Sequence, residues 1–170
     1  MIFTFYFRFM SLSQAVLYDF ELADRRVRLW KRVGESYEHV LMKALGYAMF
    51  VGAYPNLEIE RSVSLRYKPD LVARDDDRRF LFWGECGQTS VRKTAWLLKH
   101  AGVKRLVLFK IATGQGQPIS LANELQTSIN EKYRTSGRVE IISFVSDIVA
   151  RTIERRIKRV PQSWYNRTSV

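Results

Sequence analysis

The chain has 170 residues, of which 46% are hydrophobic and only four are prolines, and its 28 Lys and Arg against 17 Asp and Glu give a formal net charge of +11. This size and composition suit one domain with a buried core and exclude a disordered or low-complexity protein, while the excess positive charge favours a polyanionic partner. The single cysteine, Cys86, and the two histidines exclude an internal disulfide framework and every common zinc-ligand spacing.

Residues 1–10 form an apolar, aromatic N-terminal extension to the single domain expected over residues 11–170. The extension is shorter than the ~20 residues that a membrane span needs, and Arg8 interrupts it. It also lacks a cleavage site of small residues. We therefore expect a cytoplasmic protein that has no membrane contact. The extension is either an edge strand or sequence that precedes a natural start at Met10.

Two runs rich in β-forming residues, 15–22 and 26–33, predict an opening hairpin. The second run alternates, so that Arg28, Trp30 and Arg32 share one face. This positively charged face suits contact with DNA and exposure to solvent equally well.

The next segment, residues 35–53, has the apolar spacing of an amphipathic helix. Glu35 and Glu38 lie near its start, where they suit the positive end of the helix dipole, and they share one helical face. Gly52 and Pro55 are expected to end the helix.

The central part of the chain predicts three strands, over residues 59–67, from residue 69 onward, and over residues 79–87. A polar turn at residues 75–78 joins the last two strands, which therefore run antiparallel. Because Asp70 and Glu85 lie at similar distances from this turn, their side chains are expected to meet side by side.

The remaining chain predicts helix 90–100, strand 104–111, helix 118–134, strand 138–144, helix 146–159 and a closing strand over residues 163–170. The first of these helices joins two strands and allows a parallel crossover between them. We therefore expect an α/β (α+β) fold in which helices flank a central mixed β-sheet.

Two carboxylates on neighbouring strands repel each other, and such pairs are typically retained where a divalent cation neutralises them. Mg²⁺ (or Mn²⁺) suits a site of this kind, because one or two carboxylates hold it together with phosphate oxygens and water. The ion can make a hydroxide nucleophile and stabilise the charge on a phosphodiester under attack. Asp70 and Glu85 are therefore the candidate metal ligands and catalytic carboxylates.

The motif around these carboxylates is Pro69 and Asp70, then fourteen intervening residues, then Glu85, Cys86 and Gly87. This pattern resembles the PD-(D/E)xK signature of nucleases, except that glycine stands at the lysine position. The sequence around the motif strengthens the likeness, because the glutamate ends an apolar strand and a helix with two basic residues in its first turn follows.

Three blocks of the chain carry a family resemblance: LYDFEL at 17–22; GESYEH at 34–39 with LGYA at 45–48; and PDL at 69–71 followed by WGECGQ at 83–88, RK at 92–93 and VLF at 107–109. They are similar to "IYKFEL", "SETDER", "PDLW" and "WIDVGQ" of the YaeQ family, a branch of the PD-(D/E)xK superfamily. The resemblance covers most of the chain from Ser11 onward and favours Met10 as the start. It implies a restriction endonuclease-like core.

The resemblance also implies roles for individual residues. The role of the missing lysine has moved to Lys93. The alternative is that Lys93 is only a solvated lysine on the helix surface. Glu35 or Glu38 adds a carboxylate on the metal side, or only matches the helix dipole. Lys43 matches a basic position and contacts phosphate. Cys86 offers a metal its backbone carbonyl.

Gln88 belongs to the family's own variant of the motif, in which glutamine follows the glycine. Its amide either binds a phosphate oxygen or water at the catalytic site, or satisfies backbone groups at the end of the strand. Glu85 and Cys86 depart from the family, which has aspartate and valine there, so the departures bear on turnover more than on the fold.

The last predicted helix is crowded with positive charge, opposite an apolar stripe that packs it against the core. Its basic face either follows a phosphate backbone or only improves solubility. The candidate nucleic-acid contacts outside the motif are Arg92, Arg151, Arg155 and Lys158.

These observations predict a Mg²⁺-dependent nuclease that hydrolyses phosphodiester bonds of DNA, with RNA as the other possible substrate. The alternative is a catalytically degenerate nucleic-acid-binding module with the same fold, for which DNA binding would depend on salt without metal-dependent cleavage. A third hypothesis is an interaction protein that binds neither Mg²⁺ nor DNA.

Overall fold

The structure is a computed structural model that describes residues 14–113, 116–135 and 137–170. The N-terminal extension predicted for residues 1–10, including the start proposed at Met10, lies outside these residues. Across the described ranges, every helix is too short or too polar to cross a membrane.

Within these ranges the strands and helices are, in chain order, β1 (Val16–Leu22), β2 (Arg25–Lys31), α1 (Tyr37–Phe50), β3 (Glu58–Ile59), β4 (Leu71–Arg74), β5 (Phe80–Cys86), α2 (Val91–Lys99), β6 (Leu106–Ile111), α3 (Gln117–Ser128), β7 (Val139–Phe144), α4 (Ile148–Arg151), β8 (Arg156–Ile157) and β9 (Tyr165–Ser169). Short 3₁₀ helices lie at Glu131–Tyr133 and Gln162–Trp164.

A mixed sheet forms the centre of the fold, with the strand order β3-β4-β5-β6-β7-β9 in the described chain. β5, β6 and β7 run parallel, whereas β3, β4 and β9 pair antiparallel with their neighbours. The crossover through α2 and the closing strand are both present. The structure therefore confirms the predicted α/β fold with a central mixed sheet flanked by helices.

Two apolar clusters occupy the two faces of this sheet. Alternate residues of β5 point to opposite faces, so Phe82 packs with α1 while Trp83 packs with α2 and α3. A second sheet, with the order β2-β1-β8, covers the other side of α1. The helix α1 therefore lies between the two sheets.

Helix α1 approaches the central sheet closely because Gly46 on the helix and Gly84 on β5 both lie against Leu71 and Phe109. A Cβ atom at Gly46 would lie 2.6 Å from Leu71 Cδ1, and one at Gly84 would lie 3.0 Å from Phe109 Cε2. The missing side chains allow the helix to reach the sheet. Ser36 caps the helix, because its side chain accepts a hydrogen bond from the His39 amide. The helix therefore begins at Tyr37, two residues later than the start predicted at residue 35.

The strand predicted over residues 59–67 is wrong, because β3 ends at Ile59. Glu60 has a φ of 53°, a left-handed conformation that takes the chain out of the sheet. The helix predicted over residues 118–134 is also shorter, because α3 ends at Ser128 and a 3₁₀ turn follows.

The last helix, predicted over residues 146–159, is wrong as well. Only α4 forms there, and Arg155, with a φ of 54°, turns the chain into β8. β8 pairs in parallel with β1, so Ile157 is buried beside Leu22, whereas Ile153 is 75% exposed. The candidate nucleic-acid contacts Arg151, Arg155 and Lys158 therefore do not share one helical face.

Candidate active site

Asp70, directly before β4, lies beside Glu85 on β5. Leu71 pairs with Gly84 across β4 and β5, and the amide of Asp70 donates to the carbonyl of Gly84 at 3.1 Å. The side chain of Asp70 in turn accepts a hydrogen bond from the amide of Cys86, at 2.7 Å. Asp70 therefore contacts the residues on both sides of Glu85.

The carboxylate of Asp70 is held by two donors. Its Oδ2 atom accepts the Cys86 amide, and its Oδ1 atom lies 3.2 Å from Nε2 of His39. Burial raises the pKa of Asp70. The hydrogen bond and charge of His39, together with the Cys86 amide, lower it by more than burial raises it, so the pKa lies below its ordinary value of 3.8. Asp70 is therefore ionised at neutral pH.

Glu85 is more deeply buried and has different partners. Glu85 is only 3% exposed. Its Oε1 atom accepts a hydrogen bond from the Trp83 indole N–H at 2.7 Å, and its Oε2 atom lies 2.5 Å from Nζ of Lys93. Burial raises the pKa of Glu85 above its ordinary value, against the opposing effects of Lys93 and Trp83. The charge of Asp70 adds to this increase, so the two carboxylates interact electrostatically.

A cleft of about 750 Å³ opens above Asp70. Its polar lining residues are Arg32, Glu35, Ser36, His39, Lys43, Glu60, Lys68, Asp70 and Gln88. Glu85 does not line the cleft, because its side chain points to the α2 face of the sheet, where Lys93 covers it. The ammonium of Lys93 also lies 5.3 Å from the ring centre of Tyr67.

A chain of charged contacts extends from Asp70 into α1. Nε2 of His39 lies 3.5 Å from Oε1 of Glu35, and this oxygen also accepts a short hydrogen bond from Lys43. Nζ of Lys43 contacts Oε1 of Glu60 at 2.7 Å, and Lys43 is only 2% exposed. Burial lowers the pKa of Lys43, but the two carboxylates raise it more, so it remains charged.

Lys43 lines the cleft, but its ammonium is paired with Glu35 and Glu60. A phosphate would have to compete with these two carboxylates for it, so the predicted phosphate contact stays a prediction. Glu35 contacts His39, which also contacts Asp70. The predicted role of Glu35 as a carboxylate on the metal side stays a prediction.

The other predicted residues are more scattered. Glu38 lies in the first turn of α1 and does not line the cleft. Cys86 is buried, and burial raises the pKa of its thiol well above the ordinary value. Arg92 is exposed on α2. Away from the cleft, Arg151 pairs with Asp147 at 2.8 Å, Arg155 donates to the Asp19 carbonyl at 3.2 Å, and Lys158 lies 3.6 Å from Asp24.

The sequence-based predictions missed His39, Glu60 and Lys110. His39 lies four residues after Glu35, so the helical spacing already placed both on one face. Glu60 and Lys110 reach the site only through tertiary structure. Lys110 follows Phe109, the partner of Cys86 in β6, and its ammonium donates to the carbonyl of Gly87.

The donor set fits a cation that the substrate helps to hold. Mg²⁺ commonly takes one or two carboxylates and fills its remaining positions with water and phosphate oxygens. Of the two candidate carboxylates, Asp70 lines the cleft, whereas Glu85 points to the α2 face and is paired with Trp83 and Lys93. Within the described residues, no cluster of three or more His, Cys, Asp or Glu side chains forms a cage for a metal ion. The site therefore does not fit a metal centre built from protein ligands alone.

Comparison with known proteins identifies the fold. No protein-family model and no curated protein matches the chain. Six chains of solved structures do, and one is the YaeQ protein from Pseudomonas syringae, with a TM-score of 0.55 and 16% identity over 92% of this chain and 93% of that one. The YaeQ protein from Xanthomonas axonopodis pv. citri has a TM-score of 0.52 and 16% identity over 85% and 82%. The chain therefore shares the fold of YaeQ proteins.

Proposed function

We propose that this protein is a metal-dependent phosphodiesterase of the PD-(D/E)xK type that hydrolyses nucleic acid, with DNA favoured over RNA. The observation that supports the proposal is the approach of Asp70 to Glu85 across β4 and β5, with Lys93 bound to Glu85 at 2.5 Å. The shared fold and the three sequence blocks support a place in the YaeQ family.

Asp70 and Glu85 would hold Mg²⁺ or Mn²⁺, with the backbone carbonyl of Cys86 as a further ligand. When bound, the ion supplies a hydroxide nucleophile and stabilises the charge on the phosphodiester. Lys93 lowers the pKa of Glu85 against the larger effect of burial, and its ammonium lies 2.5 Å from that carboxylate.

The residues that line the cleft complete the site. His39 orients the carboxylate of Asp70. His39 in turn contacts Glu35, which is paired with Lys43. Arg32 and Lys68 bring positive charge to the cleft, which suits a phosphate backbone. Gln88 adds an amide at the same end of β5.

The test is cleavage of single-stranded DNA, duplex DNA, branched DNA and RNA by the purified protein with Mg²⁺ or Mn²⁺. We expect Asp70→Asn to reduce cleavage about a hundredfold or more, because it removes a metal ligand. Asp77→Asn is the matched control, because Asp77 lies in the exposed turn between β4 and β5. No cleavage by the wild type, or cleavage that survives Asp70→Asn, contradicts the proposal.

A second function, binding of nucleic acid without turnover, is favoured by one observation. Both oxygens of Glu85 already accept hydrogen bonds, from Trp83 and Lys93, and the pKa of this carboxyl is raised. A metal would have to compete with these partners. Salt-dependent binding of DNA, without cleavage in Mg²⁺ or Mn²⁺, would select this function.

A further inference from the structure

The outer face of the β1–β2 hairpin carries an exposed tryptophan within a row of arginines. Alternate residues of β2 point outward, which places Arg26, Arg28 and Trp30 on one line about 7 Å apart. Arg32 continues this line just beyond the strand. These four residues form what we call the Trp30 strip.

Trp30 is unusually accessible for its type. It is 55% exposed, and its cross-strand neighbour Leu17 is also exposed. Large aromatic side chains are usually buried, and an indole that remains on the surface offers a flat face for stacking. Nucleic acid bases stack on such faces, and any base sequence can do so.

The strip is positively charged, although acidic residues partly offset it. Arg26 and Arg28 share a single carboxylate, that of Asp19, at 3.1 and 3.7 Å. All three of these side chains are at least half exposed. Glu21, opposite Arg26 in the sheet, adds a second carboxylate and pairs with Arg156 at 3.6 Å. These three arginines against two carboxylates leave a net positive charge, which suits a chain of phosphates.

The strip leads directly to the cleft. Arg32, its last residue, lines the cleft together with Lys68 and Asp70, and a guanidinium nitrogen of Arg32 lies 3.7 Å from Oε2 of Glu60. A strand of nucleic acid that followed the strip would therefore arrive at the candidate active site.

We propose that the Trp30 strip binds single-stranded nucleic acid and directs it into the cleft at Asp70. The direction of the strand rests on the proposed function, whereas binding to the strip does not require turnover. A single strand fits better than a duplex, because its unpaired bases are free to stack on Trp30 while the bases of a duplex are stacked on one another.

Binding to a fluorescent oligothymidylate, measured by anisotropy with the full chain in EDTA, tests the strip without metal-dependent cleavage. We expect Trp30→Ala to weaken this binding about tenfold, since loss of one stacked base has an effect of that size. Trp30→Phe retains an aromatic face and should stay within about threefold of the wild type. Binding to a duplex of equal length should not respond to Trp30→Ala.

Two matched controls separate the strip from general surface effects. Ile119→Ala removes another exposed apolar side chain, on α3, and should leave binding unchanged. Arg28→Gln should lower the salt dependence of binding by an amount that corresponds to about one phosphate contact. Arg79→Gln removes an exposed arginine that is paired with Asp75, and it should leave the salt dependence unchanged.

The outcomes for the strip and for the nuclease can be told apart. The proposal that the Trp30 strip binds single-stranded nucleic acid is overturned if the wild type does not bind the oligonucleotide at low salt. It is also overturned if Trp30→Ala binds as tightly as the wild type. Both results would count whether or not the protein cleaves DNA. Weaker binding by Trp30→Ala, together with no cleavage in any metal, supports the strip and contradicts the nuclease. Circular dichroism of Trp30→Ala establishes that the variant is folded.

Discussion

Gly87 stands where the PD-(D/E)xK signature has lysine, and its backbone does not suit that residue. Its φ of 78° lies in the left-handed region, and a Cβ atom there would lie 3.3 Å from Nδ1 of His39. A side chain at this position would therefore be strained and would point away from Glu85. Two lysines approach from neighbouring elements instead, Lys93 at Glu85 and Lys110 at the carbonyl of Gly87.

Lys93→Met tests the first of these lysines. Because Lys93 lowers the pKa of Glu85, its loss should raise that pKa further and weaken metal binding. We expect cleavage to fall about 10- to 100-fold and the acid limb of its pH profile to move to higher pH. Lys99→Met, at the other end of α2, is the control. An unchanged rate with an unchanged acid limb would disprove this role.

The two carboxylates should affect stability in opposite directions as pH changes. The pKa of Asp70 is lowered in the folded state, so its contribution is present above pH 3.8 and is lost as pH falls through the folded pKa. The pKa of Glu85 is raised, so its contribution is present below pH 4.5 and is lost as pH rises through the folded pKa.

Thermal unfolding in metal-free buffer measures this difference. The stability advantage of the wild type over Asp70→Asn should shrink from about pH 5 to about pH 2. Relative to Glu85→Gln, the wild type should instead lose stability as pH rises above about 4.5. Parallel trends for the two variants would contradict the assignment of opposite pKa shifts.

At the scale of elements, helix α1 depends on its close approach to the sheet at Gly46. A Cβ atom there would lie 2.6 Å from Leu71 Cδ1 and 2.9 Å from Phe109 Cζ, so the helix would have to shift. We expect Gly46→Ala to cost about 1–3 kcal/mol, reduced by the gain of about 1 kcal/mol in helix propensity.

Urea unfolding measures the change in the free energy of unfolding caused by Gly46→Ala, with Gly52→Ala as the control. A Cβ atom at Gly52 meets no other atom within 4 Å, so this change should stay within about 0.5 kcal/mol. Because α1 carries His39, Gly46→Ala should also reduce cleavage. Equal stability of the two variants would show that the helix tolerates the methyl group.

The elements that the sequence predicts well are those whose pattern is decided locally. The strand pair that carries Asp70 and Glu85 follows from an apolar run on each side of one polar turn, and the structure has both strands. The apolar stripe of residues 146–159 also suits a helix, but pairing of Ile157 with β1, far away in the chain, overrides it.

The same distinction applies to the candidate site. The position of Asp70 beside Glu85 along the two backbones follows from the turn, and the position of Lys93 follows from the helix that comes next. The contact of His39 with Asp70 depends on how α1 docks on the sheet, and the contact of Glu60 with Lys43 depends on a left-handed residue. Neither docking nor that conformation has a signal in local periodicity.

At the scale of the whole molecule, pairing of β8 with β1 brings positive charges from distant parts of the chain onto one side. Arg155 and Arg156 join the hairpin sheet, next to Asp19 and Glu21. Two residues of the basic cluster predicted for a helix, Arg155 and Arg156, thus lie on the same sheet as the Trp30 strip.

We expect binding of DNA to depend on the location of these charges and not on the net charge alone. Lys158→Gln, beside β8, and Lys132→Gln, in the 3₁₀ turn after α3, each lower the net charge from +11 to +10. Only Lys158→Gln should weaken binding and its salt dependence, measured by anisotropy over a series of salt concentrations. Equal effects of both variants would indicate a general attraction between polyions.

The two acids are held by different layers of the molecule. Asp70 is fixed by a histidine from the helix on one face of the sheet, and Glu85 by a lysine from the helix on the opposite face. Loosening of either layer would leave one acid in place and displace the other. A brief local opening, far smaller than global unfolding, would therefore be enough to change the position of one acid relative to the other.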